Sequence, residues 1–414
     1  MISGAHAPTR LARRLGTFDA VVVGLGSMIG AGVFAAFAPA ARAAGNGLLL
    51  GLAIAAFVAY CNATSSAALA ALYPQSGGTY VYGRERLGPF WGFMAGWGFV
   101  VGKLASCAAM AMTFGSYAAP RLARPVGIAA VVALTTTNYF GVEKTVRLTR
   151  IIVVFVLAVL ALVVAAVWLG GSAEPGRLWP ITITSASGVL QSAGFLFFAF
   201  AGYARLATLG EEVVEPARTI PRAIPLALGI ALAVYVAVGV SVLASLGAAE
   251  MAASFAPLTR AVEVGAFAAL SPLVRMGAAA AALGALSSLI VGVSRTVFAM
   301  ASRRDLPASL AKVHSRYRVP HRAELAVGAV VAVAVAAADV RSAIGFSSFA
   351  VLTYYGIANA AAWTLEREQR RWPRALAGLG LLGCALLALT LPFSSIVAGA
   401  ALLVVGALVY GGRR

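Results

Sequence analysis

Long apolar stretches separated by short polar segments run along almost the whole chain. Twelve of them have about the 20 apolar residues that a helix needs to cross a bilayer. The predicted spans are residues 17–43, 47–73, 88–118, 123–141, 146–170, 186–211, 222–247, 273–302, 323–339, 344–364, 374–391 and 393–411. This pattern predicts an all-α integral membrane protein with twelve transmembrane helices.

The first apolar stretch carries an interruption, GLGSMIGAGVF, at residues 24–34. Four glycines fall within nine positions of it, and each glycine costs a helix about 1 kcal/mol relative to alanine. Such a run weakens the helix in mid-membrane and frees backbone amides and carbonyls, which are tolerated where they line a cavity. Close packing of small residues between helices is the alternative, and this stretch alone does not decide between the two.

The sixth apolar stretch is interrupted as well, by FLFFAFAGYAR at residues 195–205. Spans 1 and 6 occupy equivalent positions if two five-helix units repeat with inverted topology. That arrangement predicts a substrate site near the bilayer midplane, where the two broken helices meet.

Composition and charge support a membrane protein rather than a nucleic-acid-binding one. Hydrophobic residues make up 61% of the chain and charged residues 11%, against about 25% charged in soluble domains. The mean hydropathy is +0.90. The net charge of +18 is explained by orientation, because 22 of the 32 Lys and Arg residues fall on one side of the predicted spans and seven on the other. The positive-inside rule then places both termini in the cytoplasm.

The residues that usually carry catalysis, metal binding or cross-linking are scarce. The three cysteines, Cys61, Cys107 and Cys384, lie inside apolar runs without paired spacing, and the three histidines lie outside the spans. No HExxH, GxSxG or phosphate-binding GxxxxGK[ST] motif is present. We therefore expect no enzyme activity, no cofactor and no metal, and the basic N-terminal segment is not expected to be a cleavable signal.

Four segments resemble the amino acid–polyamine–organocation (APC) transporter superfamily, in particular its bacterial amino acid permeases. They are GSMIGAGVF at 26–34, YPQSGGTYVYGRERLG at 73–88, FFAFAGYARLATLGEEVVEPARTIPRAI at 197–224 and SRTVFAMASRRDLP at 294–307. Each motif is weak alone, but the four occur in the family's order and spacing.

The resemblance implies a LeuT-like, or APC, fold in the plasma (inner) membrane. A cytoplasmic tail at 1–16 would precede a ten-helix core at 17–364, built from inverted repeats at about 17–170 and 186–364 and broken at helices 1 and 6. Two additional helices would follow at 365–414. The implied activity is secondary transport of amino acids or related amines by alternating access.

The resemblance also implies which groups hold the substrate. Backbone amides facing its carboxylate are expected at Ile29, Gly30, Ala31 and Gly32. Carbonyls facing its α-amine are expected at Met28, Phe198, Ala199 and Ala201. Half-helix ends suit these roles, since amino-terminal ends favour anions and carboxyl-terminal ends favour cations. Beside Gly202 at the second break, Phe200 and Tyr203 are expected as aromatic walls or an inner gate, with packing alone as the alternative.

One departure from the family concerns coupling. Many proton-coupled relatives carry a lysine in span 5, and this chain has Val156 at about that position. Lys103 lies deep in span 3, and an ionisable group at such depth is a candidate functional residue. It either exchanges a proton during transport or serves as a structural lysine bonded to backbone carbonyls that the broken first helix frees.

The leading hypothesis is a permease for amino acids, with neutral side chains favoured because no acidic residue falls at mid-membrane depth. The alternatives are a carrier of amines, polyamines or cationic amino acids, and a channel or sensor with the same fold. The expected partners are the amino acid, the lipid bilayer and, if transport is proton-coupled, protons, but no nucleic acid. The choice between symport and exchange and the oligomeric state stay open.

Overall fold

The computed structural model describes residues 15–74, 77–141, 146–181, 183, 185–203, 206 and 213–412. Within these ranges, every regular secondary-structure element longer than one residue is helical, as the apolar pattern predicts. One isolated bridge, in which the Val214 amide donates to the Leu15 carbonyl at 2.9 Å, ties the entrance of the first helix to a much later segment. The predicted tail at 1–16 lies almost wholly outside the described residues.

Helices follow one another with short connections throughout. In the first part of the chain they are α1 (Thr17–Met28), α2 (Ala31–Ala35), α3 (Phe37–Ala44), α4 (Leu48–Leu72), α5 (Thr79–Leu87), α6 (Pro89–Ala118), α7 (Ala123–Tyr139) and α8 (Val146–Leu169). In the second part they are α9 (Ala186–Phe200), α10 (Pro216–Ala253), α11 (Pro257–Glu263), α12 (Ser271–Ser302), α13 (His321–Ala337), α14 (Val340–Trp363), α15 (Arg374–Thr390) and α16 (Phe393–Gly411).

Eight helical segments within the described ranges are long and apolar enough to cross a membrane. Among the rest, α7, α13 and α15 are shorter, with 17 residues each. The all-helical membrane character is therefore confirmed, while the count of twelve spans stays a prediction.

Helix α6 lies at the centre of the bundle, packed mainly against α12 and α14. It begins with Pro89, which helices tolerate in their first turn because the amides there have no partner within the helix. Small residues let it approach its neighbours closely. A Cβ atom added at Gly102 would lie only 2.8 Å from the Cβ atom of Ala350 in α14.

The start of α10 differs from the sequence-based expectation. The seventh span is predicted to begin at residue 222, after a segment that contains Pro216 and Pro221, but the helix begins at Pro216 and includes Pro221. The chain turns one residue earlier, at Glu215, whose φ of 46° is left-handed. Pro216 occupies the first helical position, where proline is tolerated. Pro221 lies inside the helix, where a proline removes one backbone hydrogen bond.

Helix α5 lies between predicted spans 2 and 3, and its tyrosines are buried. Tyr80 and Tyr82 are 2% and 0% exposed, because α5 packs under α6 and α14. The Tyr80 hydroxyl donates to Oδ2 of Asp305 at 2.5 Å, and Nη1 of Arg84 lies 3.2 Å from the same oxygen. This helix thus closes the end of the bundle that the charge distribution predicts to be cytoplasmic.

Candidate functional site

The first helix is broken where the sequence predicts. Helix α1 ends at Met28, and Ile29 and Gly30 have non-helical backbone angles before α2 resumes at Ala31. The Ile29 amide still donates to the Leu25 carbonyl at 2.7 Å, so it completes α1 and is not free for a ligand. The amides at the start of α2 lie in a first turn, where a helix provides no partners of its own.

The second break follows α9. The helix ends at Phe200, and a tighter 3-10 turn covers Ala201–Tyr203. Residues 204, 205 and 207–212, the rest of the predicted sixth span, lie outside the described residues. At this change from α to 3-10 geometry, the Ala201 amide donates to the carbonyls of Phe197 and Phe198.

Glycines allow the two breaks to touch. A Cβ atom added at Gly32 would lie 2.6 Å from the Cα atom of Ala199. One added at Gly202 would overlap the carbonyl of Ser27, and one at Gly30 would lie 2.6 Å from the Cβ atom of Ala285 in α12. The structure therefore brings Met28–Gly32 of the first break next to Ala199–Gly202 of the second, and their role in binding substrate stays a prediction.

A tyrosine that the sequence analysis did not single out joins the breaks. The hydroxyl of Tyr235, in α10, lies 2.7 Å from the Met28 carbonyl oxygen and 2.9 Å from that of Ala199. A hydroxyl has one proton, so it donates to one of these carbonyls at a time and leaves the other short of a donor. The available signal was a lone tyrosine within the apolar run ALAVYVAVGV.

Lys103 reaches the second break rather than the first. Its side chain is 4% exposed, and Nζ donates to the Ala201 carbonyl at 3.2 Å. The Tyr355 hydroxyl donates to the same oxygen, also at 3.2 Å. Lys103 is thus bonded to a backbone carbonyl of the second break and not of the first, which was the partner predicted for its structural role.

The predicted aromatic walls are buried in this conformation. Phe200 contacts the Tyr235 ring edge-on at a centroid distance of 5.0 Å, and Tyr203 stacks on Tyr355 at 4.9 Å. Both are 0% exposed, and Phe198 is 6% exposed. The rings occupy the space between the breaks and α10 and α14, and their role as walls or gate stays a prediction.

The position of the family's span-5 lysine is apolar. Val156 is 1% exposed and borders a cavity of about 20 Å³ between α1, α8 and α12, lined also by Gly26, Ile29 and Ser288. That volume holds about one water molecule. The Ser288 hydroxyl is used within α12, where it donates to the Gly284 carbonyl at 3.1 Å.

A larger cavity, of about 410 Å³, opens at the other end of the bundle from α5. Its lining includes Ala35 of α2 and Met112 and Thr113 of α6. Ala35 lies three residues beyond Gly32, which is about 4.5 Å along a helix. The cavity therefore ends close to the first break, on the side that the charge distribution predicts to be external.

Comparison with known proteins supplies the family context for this geometry. The family model described as "Amino acid permease" matches residues 19–405. A transporter of Mycobacterium tuberculosis strain H37Rv is 63% identical over 407 residues, which cover 98% of this chain and 92% of that protein. The branched-chain amino acid permease BcaP of Bacillus subtilis is 25% identical over 444 residues, which cover 99% of this chain and 95% of that protein. The human cationic amino acid transporter 4 is 26% identical, covering 84% of this chain and 59% of that protein.

Proposed function

The chain belongs to the amino acid permease family of the APC superfamily, whose members are transporters and not enzymes, and from that premise we propose that it carries amino acids across the membrane by alternating access. The proposed transport is secondary, because the sequence has no nucleotide-binding phosphate loop. Neutral amino acids are the proposed substrates.

The observation that carries the proposal is the contact between the two helix breaks. An amino acid presents a carboxylate and an ammonium group a short distance apart. The first turn of α2 supplies amide donors from Gly30, Ala31 and Gly32 for the carboxylate. The carbonyls of Met28 and Ala199 face each other across the Tyr235 hydroxyl and supply acceptors for the ammonium.

The neutral preference rests on the charges around the breaks. Among the described residues, the charged side chain that contacts this region is the cation Lys103, so a basic substrate side chain would meet repulsion there. The names of the relatives include both branched-chain and cationic amino acids, so a carrier of amines, polyamines or cationic amino acids is the second candidate. A channel or sensor with this fold is a third.

Lys103 is the proposed coupling residue, because Val156 leaves the usual span-5 position without charge. It either gains and loses a proton during the cycle or stays protonated and holds the second break through the Ala201 carbonyl. The first role makes uptake proton-coupled, and the second suits an exchanger.

The architecture we propose around this site is the ten-helix core at 17–364 with inverted repeats at 17–170 and 186–364, followed by two further helices at 365–414. The breaks of α1 and α9 at corresponding points of the two halves support the repeat. The distribution of Lys and Arg supports cytoplasmic termini in the plasma (inner) membrane.

Counterflow in proteoliposomes tests the proposal. Vesicles preloaded with one unlabelled amino acid should take up its labelled form faster than empty vesicles, and the rate should saturate with concentration. A thermal-shift screen with all amino acids and common polyamines selects the substrate beforehand, because a ligand stabilises the state that it binds. Uptake that rises linearly and ignores the preloaded amino acid would favour a channel, and stabilisation by polyamines alone would favour the second candidate.

A further inference from the structure

We propose that the 410 Å³ cavity is an outer binding site for the carboxylate of the substrate, and that its arginines exclude cationic amino acids and polyamines. This inference rests on the proposed transport function and deepens it by giving a structural basis for the exclusion of substrates with a net positive charge.

Three arginines from different helices line the cavity: Arg42 of α3, Arg124 of α7 and Arg341 of α14. The acidic residue in the lining is Asp339, so the charged side chains there sum to two positive charges. A guanidinium does not lose its proton in proteins. The cavity therefore carries a net positive charge.

The arginines are held in ways that leave hydrogen-bond donors free. Nη2 of Arg42 donates to the Ala252 carbonyl at 2.9 Å, and Nη2 of Arg124 to the Ala338 carbonyl at 3.4 Å. Within the described part of the chain, none of the three forms an ion pair with an acid. Because each guanidinium has five N–H groups in a planar fork, donors remain for a carboxylate.

Arg341 is additionally oriented by an aromatic ring. Its guanidinium lies 5.7 Å from the ring centroid of Phe195 in α9, within the range of a cation–π contact. Phe195 is completely buried, so the contact holds the guanidinium against α9, the helix that ends at the second break.

Asp339 offsets the positive charge only in part, because it is the cap of α14. Its Oδ1 accepts from the Ser342 amide at 3.0 Å, and its Oδ2 accepts from the Ser342 hydroxyl at 2.7 Å. A carboxylate committed to a helix N-terminus contributes less attraction to a cation in the cavity. The starts of α7 and α14 both open here, and helix amino-terminal ends add positive potential.

The cavity leads to the proposed transport site. Ala35, in the lining of the cavity, is within about one helical turn of Gly32 in α2. A positive cleft raises the local concentration of anionic groups and can raise association rates about 10- to 1,000-fold, an effect that salt weakens. An amino acid drawn in by its carboxylate thus arrives beside the first break, whereas a polyamine is repelled before reaching it.

Neutralising the arginines tests this inference. We compare the native protein with Arg42→Gln, Arg124→Gln, Arg341→Gln and the triple variant, measuring uptake of the amino acid chosen by thermal shift at low and high salt. In the triple variant KM should rise at least about tenfold with little change in kcat. Added salt should raise the native KM but not that of the triple variant. Inhibition by lysine and putrescine should strengthen.

Two controls separate a local charge effect from damage to the fold. Arg121→Gln removes an exposed arginine near the same face but outside the cavity lining, and its KM should match the native value. A triple Arg→Lys variant keeps the charge and should recover most of the salt dependence. An unchanged KM and salt dependence in the Gln triple variant, with transport intact, would overturn the inference alone. Absence of uptake of any amino acid by the native protein would overturn the proposed function instead.

Discussion

Tyr235 shows how one side chain connects the two halves of the proposed site. Its hydroxyl serves two carbonyls, those of Met28 and Ala199, which belong to different broken helices. Buried carbonyls without donors are costly. The tyrosine therefore fixes the distance between the breaks while leaving acceptor capacity for an ammonium group.

Tyr235→Phe should weaken substrate binding about five- to tenfold. A hydrogen bond contributes about 1 kcal/mol, and 1.4 kcal/mol corresponds to tenfold in affinity. The ring and its contact with Phe200 are retained, so the fold should persist with a slightly lower midpoint of thermal unfolding. Equilibrium binding of labelled substrate measures the effect, and Tyr60→Phe, at a partly exposed tyrosine of α4, is the control. Native affinity in Tyr235→Phe would show that substrate binding does not depend on the hydrogen bonds of this hydroxyl.

Lys103→Ala distinguishes the two roles proposed for the lysine. If Lys103 carries a proton, the variant should lose proton-driven accumulation but keep counterflow, because exchange needs no net proton movement. If it only holds the Ala201 carbonyl, binding should weaken at every pH. Both assays are run beside Lys312→Ala, which alters an exposed lysine. A variant that matches the native protein in both assays would leave Lys103 without a functional role.

At the level of elements, α5 closes one end of the bundle through Asp305. Burial, followed by the hydrogen bond to Asp305, raises the pKa of Tyr80 to about 12, so the phenol stays protonated and donates to that carboxylate. Arg303 lies over the Tyr80 ring at 5.6 Å, and the Thr79 amide donates to the Tyr354 hydroxyl at 3.2 Å. These contacts join α5 to the end of α12 and to α14.

Asp305→Ala should loosen this closure. Loss of the acceptor leaves the buried Tyr80 hydroxyl unpaired and frees Arg84, so the predicted cytoplasmic end should open more often. Labelling of the buried Cys107, one turn beyond Lys103 in α6, by a thiol reagent applied to that end should become several-fold faster. Glu85→Ala removes an exposed acid from the same helix and should label at the native rate. Equal labelling in both variants would show that α5 is not a gate.

The sequence predicted the elements whose signals are local. The glycine-rich run at 24–34 located the break after Met28, and the change around Gly202 located the second one. The prolines of α10 led to a wrong start for that helix. A proline in a first turn costs little, and the helix continues through Pro221. The positions of Tyr235 and of the three cavity arginines depend on which distant helices pack together. Spacing along the chain does not reveal that packing.

At the scale of the molecule, the two ends of the bundle differ. One end is filled by the buried tyrosines of α5, and the other holds the cavity that reaches Ala35. Between them lie the breaks, packed against each other at Gly32 and Ala199. The cavity thus opens at the end of the bundle that the charge distribution predicts to be external, and α5 fills the opposite end. This asymmetry is compatible with one of the two states of the proposed alternating access.

The central claim is that the substrate binds where the two breaks meet, and binding to Gly32→Val measures this directly. The added side chain would begin 2.6 Å from the Ala199 backbone, so it must separate the breaks or fill the space between them. Gly292→Val in α12, where an added Cβ atom meets nothing within 4 Å, is the matched control for membrane insertion. We predict native binding of the labelled amino acid by Gly292→Val and none by Gly32→Val, with both variants inserted equally. Native affinity in an inserted Gly32→Val protein would contradict the account.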